Sequence, residues 1–184
     1  DYELPEISFS ESIDDADLVA DATDTNESAT EDNATAFPTW LASQMDSGKD
    51  IYQKLAPGGG MCVTCHMPNG LGNKTAGIPP LAGSDWVLGD KERLIKISIH
   101  GLLGEIEVNG EKYNGAMNGF GQTLVSPLND NQISDVLTYI RNEWGNSAPA
   151  VSAEEVAAVR DANKDRPITQ MWTVAELEKN STSD

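Results

Sequence analysis

Basic residues are missing from the first 48 positions of this 184-residue chain, and Lys49 is the first of them. Residues 1–45 hold twelve acids, so of the formal net charge of −18 only −6 falls on the other 139 residues. Such a balance argues against nucleic acid as a partner, because phosphates would be repelled. It argues equally against an anionic membrane surface. No apolar run is long enough to span a bilayer, so no transmembrane segment is expected. Asp1 is not a cysteine, which argues against a lipid anchor on that residue, and no signal peptide is visible at the start. Cysteine and histidine are scarce, with two of each. That scarcity leaves too few ligands for a structural zinc site.

Both cysteines stand in Cys62-Val63-Thr64-Cys65-His66. Two thiols separated by two residues, with a histidine directly after, read as covalent attachment of one c-type haem. The thiols add across the vinyl groups, and the adjacent imidazole of His66 falls against the iron from one face. A thioredoxin-type disulfide would leave His66 without a role, and the βαβ surroundings of such a pair are missing. Attachment of this kind takes place outside the cytoplasm. The chain is therefore expected to begin after signal cleavage and to reside in the periplasm.

Three stretches of the chain differ in composition. Residues 1–36 are acidic, rich in Ser, Thr and Ala, with Tyr2 and Phe9 as their aromatics. Such a segment cannot bury enough apolar surface to offset its ordering entropy, and it reads as an arm or linker. Residues 37–145 read as the folded domain. Leu41, Met45, Gly48, Tyr52 and Leu55 share one helical face, and Pro57 with Gly58-Gly59-Gly60 stops that helix before the cysteines. A second helix runs from an Asp90 cap through Leu94 and Ile97 to Gly101. Ile106 to Tyr113, with Asn109-Gly110 between alternating arms, reads as a small β-hairpin. A third helix starts at Asn129, where Gln132 completes a capping-box pattern. Its stripe is Ile133, Val136, Leu137, Ile140 and Trp144, and Gly145 stops it. In residues 146–184, Ser152 to Glu155 and Thr173 to Glu176 each open a short helix. Pro167, Met171 and Trp172 between them pin this C-terminal extension onto the domain.

A low-spin electron carrier needs a second axial ligand, and a methionine opposite histidine raises the potential. Met61 and Met67 border the attachment motif and cannot easily reach the far face. Met45 belongs to a helix stripe, and Met171 to the extension. Met117 lies in a glycine-rich stretch 51 residues after His66, read as a loop over the iron. His100, at a helix end beside Gly101, is the rival ligand and would give a lower-potential bis-histidine iron.

The chain resembles class I cytochromes c over roughly residues 44–145. The matching segments are Gly48-Lys-Asp-Ile-Tyr52, Ile78-Pro79-Pro80-Leu81 through Trp86, Tyr113-Asn-Gly-Ala-Met117 and Leu137-Thr-Tyr-Ile-Arg141. The nearest group is the bacterial monohaem domains that accompany periplasmic dehydrogenases and respiratory complexes. The resemblance implies a mainly α fold, with three core helices around one covalent haem, a small hairpin and a helical C-terminal extension. It implies thioethers at Cys62 and Cys65, His66 as proximal iron ligand and Met117 as distal ligand. The Pro79 carbonyl would accept from the His66 ring. Gly48 and Tyr139 would meet where the first and last helices cross, and Trp86 and Arg93 would touch the haem propionates. A proline often follows the methionine in the family; here Asn118 does, which loosens that loop. The implied activity is single-electron transfer rather than substrate turnover, as a carrier or as a subunit of a larger membrane or periplasmic oxidoreductase complex. The competing class is a haem sensor or peroxidase-like enzyme, which needs an open or displaceable sixth position.

Overall fold

The computed structural model describes residues 38–55, 58–121 and 127–180. The acidic arm at 1–36, Phe37 and Pro57 lie outside the described residues. Ten short elements follow one another. They are α1 (Thr39–Gln53), α2 (Cys62–His66), a 3-10 turn (Lys74–Ala76), α3 (Asp85–Leu88), α4 (Lys91–His100), β1 (Gly101–Val108), β2 (Glu111–Asn118), α5 (Asp130–Asn142), α6 (Ala153–Ala162) and α7 (Val174–Asn180). The fold is mainly helical, with one antiparallel hairpin.

The crossing of α1 over α5 sets the frame. Ile51 and Tyr52 of α1 bury against Ile133, Val136, Leu137 and Ile140 of α5. Gly48 lies at the point of closest approach. A Cβ there would sit 2.1 Å from the Asp135 carbonyl oxygen and 2.7 Å from Tyr139 Cβ. Neither neighbour is a flexible chain end, so the helices would have to separate. Gly48→Ala is therefore expected to destabilise the protein by about 2–3 kcal/mol, although alanine favours helix. Thermal unfolding followed by circular dichroism measures this, and an unchanged midpoint would contradict the contact.

Helix boundaries differ from expectation at two places. Leu55 is outside α1 and exposed, because the chain doubles back over Lys54. Lys54 is extended, Gly60 N–H donates to Ile51 O and Met61 N–H donates to Lys54 O. Trp144 is outside α5, which ends at Asn142. Trp144 and Gly145 both take positive φ, at 55° and 85°. That reversal turns the indole back onto Tyr52 and Tyr139, with ring centroids 5.3 and 5.6 Å away. The two starts follow the sequence. Asp90 caps α4 by accepting from Glu92 N–H, and Asn129 and Gln132 form a full capping box on α5.

The hairpin is longer than its sequence signal. Asn109 and Gly110 make the turn with φ of 51° and 77°, as a two-residue hairpin connection demands. Pairing then continues to Gly101 opposite Asn118. Met117 therefore lies in a strand opposite Leu102, not in a loop. Asn118 closes the ladder, so the loosening expected of it is not what the backbone does here. The outer half of β2 hid from sequence reading because its residues do not alternate; Asn114, Gly115 and Ala116 are all exposed.

The end of α5 and the residues after it make specific contacts with the rest of the fold. Arg141 is buried and donates to the carbonyls of Pro149, Val87 and Gly89 at 2.9, 2.6 and 3.1 Å. Ser152 and Glu155 form the expected capping box on α6. Arg160 of that helix donates to Asp130 and to the carbonyls of Gly121 and Leu128. At α7, the Glu176 carboxylate accepts from both the N–H and the hydroxyl of Thr173, each at 2.9 Å.

Candidate functional site

The sequence around the cysteines dictates a tight turn with defined ends. Met61 and Met67 bracket α2 with φ of 54° and 64°. Positive φ at a residue with a Cβ costs about 1–2 kcal/mol, so both ends are held by neighbours, the first through Met61 N–H donating to Lys54 O at 3.2 Å. Tyr52 Oη donates to Met67 O at 2.6 Å, and Trp144 Nε1 donates to Pro68 O at 3.0 Å. Sequence reading took Tyr52 and Trp144 as core stripe. Their polar tips were the overlooked signal, since a buried aromatic with an O–H or N–H needs an acceptor. Gly60 clears the way for the first thiol, because a Cβ on it would lie 2.8 Å from Cys62 Sγ.

Cys62 and His66 open onto one cavity of about 790 Å³, including its solvent-open mouth. Pro79 and Trp86 line it from the middle segment, Leu94 and Ile97 from α4, Leu102 and Met117 from the hairpin, and Ile133 and Leu137 from α5. The walls are almost wholly apolar. Cys62 is pressed into this surface, and burial pushes its thiol pKa up to about 12, so it stays protonated. Cys65, one turn on, is exposed.

His66 is buried, and its Nδ1 lies 3.1 Å from Pro79 O. A carbonyl can only accept, so Nδ1 carries the proton and Nε2 keeps the free lone pair. Burial lowers the pKa of His66, while the bond to Pro79 pulls it back up. The neutral ring is the form that can ligate iron. Met117 is half-buried and faces the same cavity.

The remaining expected site residues divide. Trp86 lines the cavity, but its N–H is already donated to Glu107 O at 2.7 Å. It is therefore a wall, with no donor free for a propionate. The Arg93 guanidinium lies 4.2 Å above the Trp86 ring, and its buried Nε has no partner among the described residues. It is a cation beside the cavity wall with an unmet need for an acceptor. His100 is buried rather than on the surface, and it is not among the cavity-lining residues. Its pKa is lowered by burial and by the nearby Arg166 and Arg160.

These features fit a flat apolar macrocycle with an acidic edge. The cavity offers a thiol at its mouth, an oriented imidazole and a thioether, and the Arg93 guanidinium lies over Trp86 in its wall. Among the described residues, no three His, Cys, Asp or Glu side chains gather to hold a bare metal ion.

Comparison with known proteins agrees with this geometry. The cytochrome c family model matches residues 45–144. A cytochrome c-552 of Thermus thermophilus is 37% identical over 148 residues, 76% of this chain and 88% of that protein. The gluconate 2-dehydrogenase cytochrome c subunit of Pantoea cypripedii is 32% identical over 139 residues, 71% of this chain but 28% of the subunit. The cytochrome c subunit of the quinone-dependent alcohol dehydrogenase of Gluconobacter oxydans is 33% identical over 136 residues, 72% of this chain and 25% of the subunit.

Proposed function

We propose, from the premise that this chain belongs to the cytochrome c family, that it relays single electrons between periplasmic redox proteins through a haem ligated by His66 and Met117. Its cofactor is a covalently bound haem c, and its activity is haem-mediated electron transfer, as a carrier or as a subunit of a complex. When bound, the haem supplies a one-electron ferric/ferrous couple. The chain supplies everything else. Cys62 and Cys65 hold the group by thioethers, and His66, oriented by Pro79, presents Nε2. Met117 presents a soft sulfur that favours the reduced state. Arg93 offsets the propionate charge, and the apolar walls keep water from the metal.

The observation that carries this reading is the meeting of Cys62, the Pro79-bonded His66 and Met117 on one cavity. It also weighs against a sensor or peroxidase. Those need a displaceable sixth ligand, and Met117 is held in a paired strand.

The division of labour along the chain belongs to the same proposal. Residues 1–36 act as an acidic arm, 37–145 as the haem domain and 146–184 as an extension. An arm and an extension are more than a free shuttle needs. We therefore take the chain to work as a subunit of a dehydrogenase or respiratory assembly. Gentle purification of the native protein should bring a larger catalytic chain with it. A solitary monomer whose reaction with partners weakens steeply with salt would instead make it a free carrier.

A further inference from the structure

Trp172 lies far along the chain from the haem motif, yet it is hydrogen-bonded to the strand that holds Met117 in register. Trp172 N–H donates to Gly101 O at 3.0 Å, and Leu103 N–H donates to Trp172 O at 2.8 Å. These bonds make a parallel bridge between Trp172 and Leu102 on the outer edge of β1. On the inner edge, Leu102 stands opposite Met117. Backbone groups alternate along a strand, so with Gly101 and Leu103 turned to Trp172, those of Leu102 turn to Met117. One residue of β1 is thus gripped from both sides. Side chains repeat the pattern, because Leu102, Met117 and Trp172 share one apolar cluster.

Several contacts fix Trp172 itself. Its ring is buried, and the Arg166 guanidinium stacks 3.5 Å from its centroid. Arg166 also donates to the carbonyls of Gln170 and Met171 at 2.9 and 2.8 Å, closing the turn that delivers Trp172. His100 meets the indole edge-on at 6.1 Å.

We propose that Trp172 is a positioning residue for the axial methionine. The extension completes a three-layer ladder, Trp172 to Leu102 to Met117, that holds the sulfur toward the iron. This rests on Met117 being the distal ligand. Without the indole anchor, the bridge loses its hold on Gly101 and Leu103. β1 then frays from the outside, and Met117 gains freedom to leave.

The test measures how readily added imidazole displaces the native ligand from the ferric haem, at a temperature well below unfolding. Titrations followed by absorption compare the wild type with Trp172→Ala, Trp172→Phe and Met117→Ala, all as full-length haem-loaded chains. Trp172→Ala should bind imidazole about tenfold more tightly than wild type, the equivalent of about 1.4 kcal/mol, and Trp172→Phe should restore most of the difference. Equal affinity in Trp172→Ala and wild type, with Met117→Ala tighter, would overturn the positioning role and leave the ligand in place. Equal affinity in Met117→Ala and wild type would overturn the ligand assignment itself. If Trp172→Ala yields no folded protein, Arg166→Ala, which removes the stacking cation together with its bonds to the Gln170 and Met171 carbonyls, takes its place with the same two outcomes.

Discussion

The double variant Cys62→Ala, Cys65→Ala is expected to mature without any haem that survives a denaturing gel, whereas the wild type stains. Thioether bonds are the links that outlast unfolding, since axial ligation disappears with the fold that positions it. Each single variant should be impaired as well. The two cysteines are not equivalent in the fold, however. Cys62 is pressed into the cavity wall and Cys65 is exposed, so the loss is expected to be greater for Cys62→Ala. A second effect should follow from the empty site. Without the macrocycle, the apolar walls of the cavity lose the packing it would supply. The haem-free double variant should therefore unfold at a lower temperature than the haem-loaded wild type. Normal haem staining of both single variants would bring down the attachment site.

What the sequence made legible was local chemistry. Helix starts came through because caps are written in adjacent residues. Asp90, Asn129 and Ser152 each satisfy N–H groups two or three positions on. The haem motif came through because its thiols and imidazole are consecutive. What stayed hidden depends on residues far apart. Nothing near Met117 says that it pairs with Leu102, since the outer half of β2 lacks an alternating pattern and gains its strand form from β1 alone. Trp144 reads as the last rung of a helix stripe. Its indole instead closes over Gly70, where a Cβ would strike the ring at 2.6 Å. The depth of His100 was equally unreadable. A histidine at a helix end is usually wet, and this one is covered by Trp172, 72 positions later. Arg141 looked like a matched family residue, yet its guanidinium stitches three backbone carbonyls from two other segments.

Met117→Ala should keep its covalent haem but lose the absorption band of ferric iron–methionine ligation. Its reduction potential should fall by on the order of 0.2 V, within the range of about 0.8 V that axial ligands command. The direction follows from chemistry, because a thioether stabilises the ferrous iron and water or hydroxide does so less. The size is expected to be large because no other described side chain is poised to substitute. Met61 and Met67 flank the His66 side, at the two positive-φ ends of α2. His100 is outside the cavity lining and packs edge-on against Trp172. The chain past Met117 is fixed too. Gly119 lies against His100, where a Cβ would sit 2.6 Å from its Cα, and Phe120 N–H donates to Ser98 O at 2.8 Å. β2 therefore cannot slide to offer another residue. His100→Ala provides the contrast, with its band and potential expected to match the wild type. If the wild type lacked the band, and His100→Ala rather than Met117→Ala changed the spectrum and the potential, the iron would be held by two histidines, and the hairpin would be merely a wall of the haem pocket.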